Sequence, residues 1–215
     1  MKYFIDTEFI EGFNKPLLGK KRHFIDLISI GIYAEDGREY YAISSEYLFN
    51  KADDWVKRNV IVPAYLDAVP FRMRDTFSFY DFHKHFGVKN KKIAQEIINF
   101  IGRDNEIEFW GYFADYDWVL FCSLFGRMID LPKGFPMYCR DLKQKMDEYA
   151  RRIMLHGYYS NDEELGKKKY PETLNESLKL IKTDINYPKQ TGEHHALDDA
   201  KWNAQLFDFL RLTLA

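Results

Sequence analysis

The sequence predicts an α/β domain, a sheet flanked by helices. Three observations predict it. Apolar runs at the start, separated by an Asp-Gly turn, read as three antiparallel strands; a long helical stretch follows; and a later strand leads directly into an apolar helix. At 215 residues, 46% hydrophobic and 17% aromatic, the chain can bury one substantial core, so a single domain spanning 1–215 is expected.

Lys2 to Phe9 reads as the first strand, with Asp6 and Glu8 two residues apart and therefore on one face. The run Phe24 to Tyr33 is the second strand. Asp36-Gly37 marks a hairpin turn into Glu39 to Ile43, the third. From Lys51 to Ile101 the pattern is helical but broken, with Pro63 and Pro70 as interruptions and Ala94 to Ile101 as its clearest amphipathic piece. Glu106 to Tyr112 returns to strand character, and Asp117 to Phe125 carries helix-spaced apolar residues. A short strand at Pro136 to Cys139 and a helix from Asp141 to Met154 follow. His156 to Tyr170, with Lys167, Lys168 and Lys169, reads as a surface loop; Asn175 to Ile181 and Ala196 to Leu214 read as helices.

The net charge of -2 argues against a protein that coats nucleic acid by bulk electrostatics and leaves room for local basic patches. Cys122 and Cys139 lie in apolar stretches, as expected of free thiols in a reducing compartment. The N-terminus places Asp6 and Glu8 where a signal peptide needs an apolar run, and no stretch approaches transmembrane length. A cytoplasmic protein with no membrane partner is the expectation.

The segment Gly192-Glu193-His194-His195-Ala196-Leu197-Asp198-Asp199-Ala200 completes an acidic set begun at Asp6 and Glu8 and continued at Asp117. Hydrolysis of a phosphodiester is slow because water is a weak nucleophile and charge must build on the phosphate. Two divalent ions about 4 Å apart relieve both difficulties. Mg²⁺ and Mn²⁺ prefer hard oxygen ligands, which carboxylates supply. An imidazole with an ordinary pKa of about 6.5 can take a proton from water near neutral pH. Each piece alone has a plainer explanation. Asp-x-Glu can be an exposed pair, Asp115 and Asp117 can serve a helix N-terminus, and paired histidines can be structural. Their joint occurrence points to a two-metal nuclease.

On these motifs the chain resembles the DEDDh branch of the DnaQ-like 3′-to-5′ exonucleases, which have an RNase H-like mixed sheet flanked by helices. The matching segments are Asp6-Thr7-Glu8, Ala114 to Leu120, and His194 to Ala200, the last fitting His-x-Ala-x-x-Asp-Ala. The resemblance implies Asp6, Glu8, Asp117 and Asp199 as ligands of two Mg²⁺ or Mn²⁺ ions, with His194 as general base. Asp117 is preferred over Asp115 by spacing to Leu120, and Asp199 over Asp198 by spacing to His194. The segment Phe109 to Asp117 further resembles a small bacterial and phage group of 3′-to-5′ exoribonucleases typified by a mycobacterial member. That likeness implies RNA rather than DNA as substrate, 5′-mononucleotides as product, and a homodimer.

Two departures stand out. Phe9-Ile10-Glu11-Gly12 replaces the usual Thr and Gly after the first motif, and Phe113 stands where many relatives carry Asn. Aromatic rings at Phe9 and Phe113 can stack on bases. Around an acidic centre the nucleic-acid backbone needs cations, for which Arg140, Lys143, Lys145, Arg151, Arg152, the lysines 167–169 and the group Lys20, Lys21 and Arg22 are candidates. The rival readings are a DNA exonuclease and a non-catalytic RNase H-like module that binds nucleic acid.

Overall fold

The structure is a computed structural model that describes residues 1–14, 19–157, 171–192 and 194–214. Five strands form one sheet in the order β3-β2-β1-β4-β5. They are β1 (Lys2–Asn14), β2 (Arg22–Ala34), β3 (Glu39–Ile43), β4 (Glu108–Gly111) and β5 (Arg140–Asp141). The first three are antiparallel neighbours, whereas β4 pairs parallel to both β1 and β5, so the sheet is mixed.

Helices cover both faces. They are α1 (Asp54–Val56), α2 (Val62–Ala68), α3 (His83–Phe86), α4 (Asn90–Ile101), α5 (Asp115–Phe125), α6 (Leu142–His156), α7 (Leu174–Lys182) and α8 (Ala196–Leu214). Among the described residues no helix is long and apolar enough to cross a membrane.

Three boundaries differ from the sequence expectation. The first strand continues past Phe9 to Asn14, because β2 pairs with it along its whole length. The short strand is Arg140–Asp141 and not Pro136 to Cys139; its two residues are strand only because Trp110 and Gly111 of β4 pair with them. Pro63 does not interrupt its helix. Lys57–Ile61 is wound as a π-helix between α1 and α2, and Pro63 sits at the start of α2, where a missing backbone donor is tolerated. The loop expected over His156 to Tyr170 begins after α6, and its residues 158–170, Lys167 to Lys169 included, lie outside the described residues.

Alternation along β1 builds three cores. Tyr3 and Ile5 face α4 and α5, where Ile93, Ile97, Leu120 and Phe121 are buried with them. On the opposite face, Phe4 packs with Met146 of α6 and Trp202 and Leu206 of α8, while Ile10 packs with Tyr47, Ile61 and Phe82. Each such buried side chain contributes roughly 1.5–3 kcal/mol. Asp6 and Glu8 fall between Phe4 and Ile10 on that second face. The pleat therefore sets two carboxylates in the gap between two apolar clusters.

Candidate active site

Asp6, Glu8 and Asp199 converge: one carboxylate oxygen from each lies within 4.8 Å of the others. What brings α8 to β1 is the absence of a side chain at Gly31, the β2 partner of Asp6. A Cβ there would lie 2.3 Å from the backbone of Ala196 and Leu197, so only glycine lets the α8 N-terminus sit flat on the sheet. Asp199, one turn into that helix, is thereby aimed at the two β1 acids.

Asp199 is held at both oxygens. Gln190 Nε2 donates to Oδ1 at 2.5 Å, and the His194 amide donates to Oδ2 at 3.0 Å. Asp117 approaches from α5. It is 6% exposed and accepts bonds at one oxygen from the Thr7 amide (2.8 Å) and the Thr7 hydroxyl (2.6 Å). These bonds occupy the edge of β1 beyond the point where β4 pairing ends at Phe4.

The electrostatics of the cluster are those of acids without a counter-charge. Burial, then repulsion from Asp117, Glu8 and Asp199, pushes the Asp6 carboxyl well above the usual range. Burial and the charges of Asp199 and Asp117 raise Glu8 to about 8. Asp117 rises to about 6, mainly through burial and despite the Thr7 bonds that favour its charged form. Asp199 shifts upward as well, again by burial, against the opposing effect of its Gln190 and His194 bonds. Among the described residues no lysine or arginine pairs with any of the four. Such an arrangement of hard oxygen donors fits a divalent cation.

The two histidines part company. His194 has φ of 68°, and its ring lies edge-on to the half-exposed Trp55 at 4.8 Å. His195 stacks on Tyr41 at 4.5 Å and lies 3.3 Å from Asp198 and 4.0 Å from Asp67. His194 is thus the one on the side of Asp199, and Asp198 faces His195 instead of the cluster.

Asp115 is exposed and does not cap α5 with its side chain. The carboxylate that serves this helix start is Asp141, whose Oδ2 accepts the Ala114 amide at 3.0 Å. Phe113 has φ of 57° and is 63% exposed, with Lys143 Nζ 5.7 Å from its ring. Phe9 is half-buried and edge-on to Tyr116 at 5.6 Å. Arg140 pairs with Glu108 at 3.6 Å and stacks over Trp110. Arg151 and Arg152 are exposed on α6. Sequence reasoning passed over Thr7, Gly31 and Gln190. Thr7 was detectable as the residue between the two β1 acids, whereas nothing in the sequence singles out Gln190.

These carboxylates gather at the junction of β1, α5 and α8 in a mixed sheet, and the chain is of the class of 3'-5' exonucleases, which are hydrolases. The chain belongs to the Rv2179c-like 3'-5' exoribonuclease domain family, whose pattern matches residues 81–210. It is 35% identical over 150 residues to the 3'-5' exoribonuclease Rv2179c of Mycobacterium tuberculosis strain H37Rv, covering 69% of this chain and 75% of that protein. The 3'-5' exoribonuclease MT2234.1 of Mycobacterium tuberculosis strain CDC 1551 matches to the same extent. Among solved structures, exonuclease I superposes with a TM-score of 0.51 at 13% identity over 98% of this chain and 40% of that one, a likeness of fold alone.

Proposed function

We propose that this chain acts as one domain that hydrolyses RNA from the 3′ end and releases 5′-mononucleotides. The observation that carries the reading is the convergence of Asp6, Glu8 and Asp199 within 4.8 Å, with Asp117 adjoining, all four carboxyls raised by burial and those of Asp6 and Glu8 also by repulsion from the other acids. Two Mg²⁺ or Mn²⁺ ions, when bound, supply the charge that activates water and stabilises the leaving oxygen. Asp6, Glu8, Asp117 and Asp199 are the residues to hold them. Gln190 and the His194 amide fix the Asp199 carboxylate, and Thr7 fixes Asp117, so the donors are oriented before substrate arrives. His194 takes the proton from the attacking water, its ring steadied by Trp55. Phe9 beside Glu8 and the exposed Phe113 offer rings to the terminal bases. RNA as substrate is supported by the named activity of the family relatives.

The test is a denaturing gel of 5′-labelled RNA and DNA oligonucleotides with Mg²⁺, Mn²⁺ or EDTA, comparing wild type with Asp6→Ala. The expected result is a metal-dependent ladder that shortens RNA from the 3′ end and is absent in Asp6→Ala. Preferential cleavage of DNA would overturn the substrate, and binding without cleavage of either polymer would overturn the activity.

A further inference from the structure

β1 and β2 are each 13 residues long, yet β3 pairs with β2 only over Ser29 to Tyr33 and β4 pairs with β1 only over Lys2 to Phe4. The outer halves, residues 9–14 and 22–27, therefore leave the sheet as a two-stranded ribbon. One face of the ribbon is braced. Ile10 and Phe24 pack on the core formed by 47–86, and Lys51 Nζ donates to Asn14 Oδ1 at 3.1 Å while lying 5.7 Å from the Phe24 ring.

The other face carries a row of rings. Phe9 meets Tyr116 at 5.6 Å, Tyr116 lies nearly parallel to His23 at 6.1 Å, and His23 meets its cross-strand partner Phe13 at 5.7 Å. Glu11 fixes the middle of the row by accepting bonds from His23 (2.9 Å) and Tyr116 (3.2 Å). Phe13 is nevertheless 61% exposed and Tyr116 41% exposed. Rings needed only to hold the ribbon would lie on the braced face, out of water.

The row begins beside Asp117, on the sheet face opposite Asp6 and Glu8. Phe9 follows Glu8 in sequence, and Tyr116 precedes Asp117, which stands at the open edge of β1. Lys21 and Arg22 are exposed at the far end. A line of aromatic rings about 14 Å long, alternating edge-on and stacked contacts, beside Asp117 and tipped with cations, is the chemistry that holds unpaired bases and their phosphates. We propose that this ribbon face is a stacking platform for the single-stranded RNA that leads into the site, passing around the β1 edge at Asp117. The proposal rests on the RNA reading above and adds Phe13, His23 and Tyr116 to the substrate contacts.

The experiment measures fluorescence anisotropy of a labelled single-stranded RNA octanucleotide in EDTA, which prevents cleavage, with wild type, Phe13→Ala and Phe13→Trp. Loss of one stacking ring is expected to weaken binding about 5-fold or more, with Phe13→Trp restoring it. A blunt RNA duplex of equal length, which has no unpaired base to stack, is expected to bind wild type and Phe13→Ala alike. Equal affinity of wild type and Phe13→Ala for the single strand overturns the platform, as does an equal loss on the duplex. A lowered Tm in Phe13→Ala with unchanged RNA affinity also overturns it, because the rings would then only brace the ribbon. Failure of the wild type to cut RNA on the gel described above would instead overturn the activity, a separate readout.

Discussion

Glu8 shows most directly how a single residue trades stability for chemistry. Its folded-state pKa of about 8 lies above the ordinary value of 4.5, so the metal-free folded protein holds a proton that the unfolded chain has already released across that window. Its contribution to stability is present below pH 4.5 and is lost as pH rises toward 8. The upward shifts of Asp6, Asp117 and Asp199 act in the same direction. Metal-free protein is therefore expected to melt lower at pH 8 than at pH 5, with Mg²⁺ restoring more at pH 8. Glu8→Gln is expected to raise the metal-free Tm at pH 8 by about 2 °C or more while abolishing hydrolysis. Thermal melts with and without EDTA check both; a Glu8→Gln Tm at or below wild type in EDTA at pH 8 would contradict the repulsion. The acids themselves were legible in the sequence because the chemistry restricts the residue types and the pleat fixes their spacing. The service of Asp141 to the α5 start was not, since a cap from another strand leaves no local pattern.

At the scale of elements, the decisive fit is that of α8 against β2. Gly31→Ala places a methyl 2.3 Å from the backbone of Ala196 and Leu197, and backbone cannot move aside as a flexible side chain would. The helix start must shift, carrying Asp199 away from Asp6 and Glu8. A displacement near 1 Å at a catalytic group costs on the order of 100-fold in rate, and overpacking costs roughly 1–3 kcal/mol of stability. Steady-state kinetics and melting of Gly31→Ala are expected to show both losses, and wild-type turnover would show that α8 does not set the site. The sequence pattern located the three antiparallel strands, α5 and α8, whose hydrophobic periods are their own. It could not reveal the outer part of β1, the two residues of β5 or the π-helical passage that precedes Pro63, each of which depends on a partner or on neighbouring turns.

For the whole molecule, a net charge of -2 and a concentrated acidic centre mean that RNA must be drawn in by cations away from the metal site. Arg140 is engaged with Glu108, whereas Arg151 and Arg152 of α6, like Lys21 and Arg22 beside the ribbon, are exposed candidates for that role. Reversing Arg151 and Arg152 to Glu is expected to weaken binding of long RNA and to flatten its dependence on salt; unchanged affinity at low salt would remove them from the path. Calorimetric titration of Mn²⁺ at pH 7 in two buffers of different ionisation enthalpy reads the carboxylate cluster itself. Two ions are expected to bind with release of protons from the raised carboxyls, and that binding is expected to be lost in Asp6→Asn. Absence of binding at millimolar Mn²⁺, or binding without proton release that survives Asp6→Asn, would contradict that expectation.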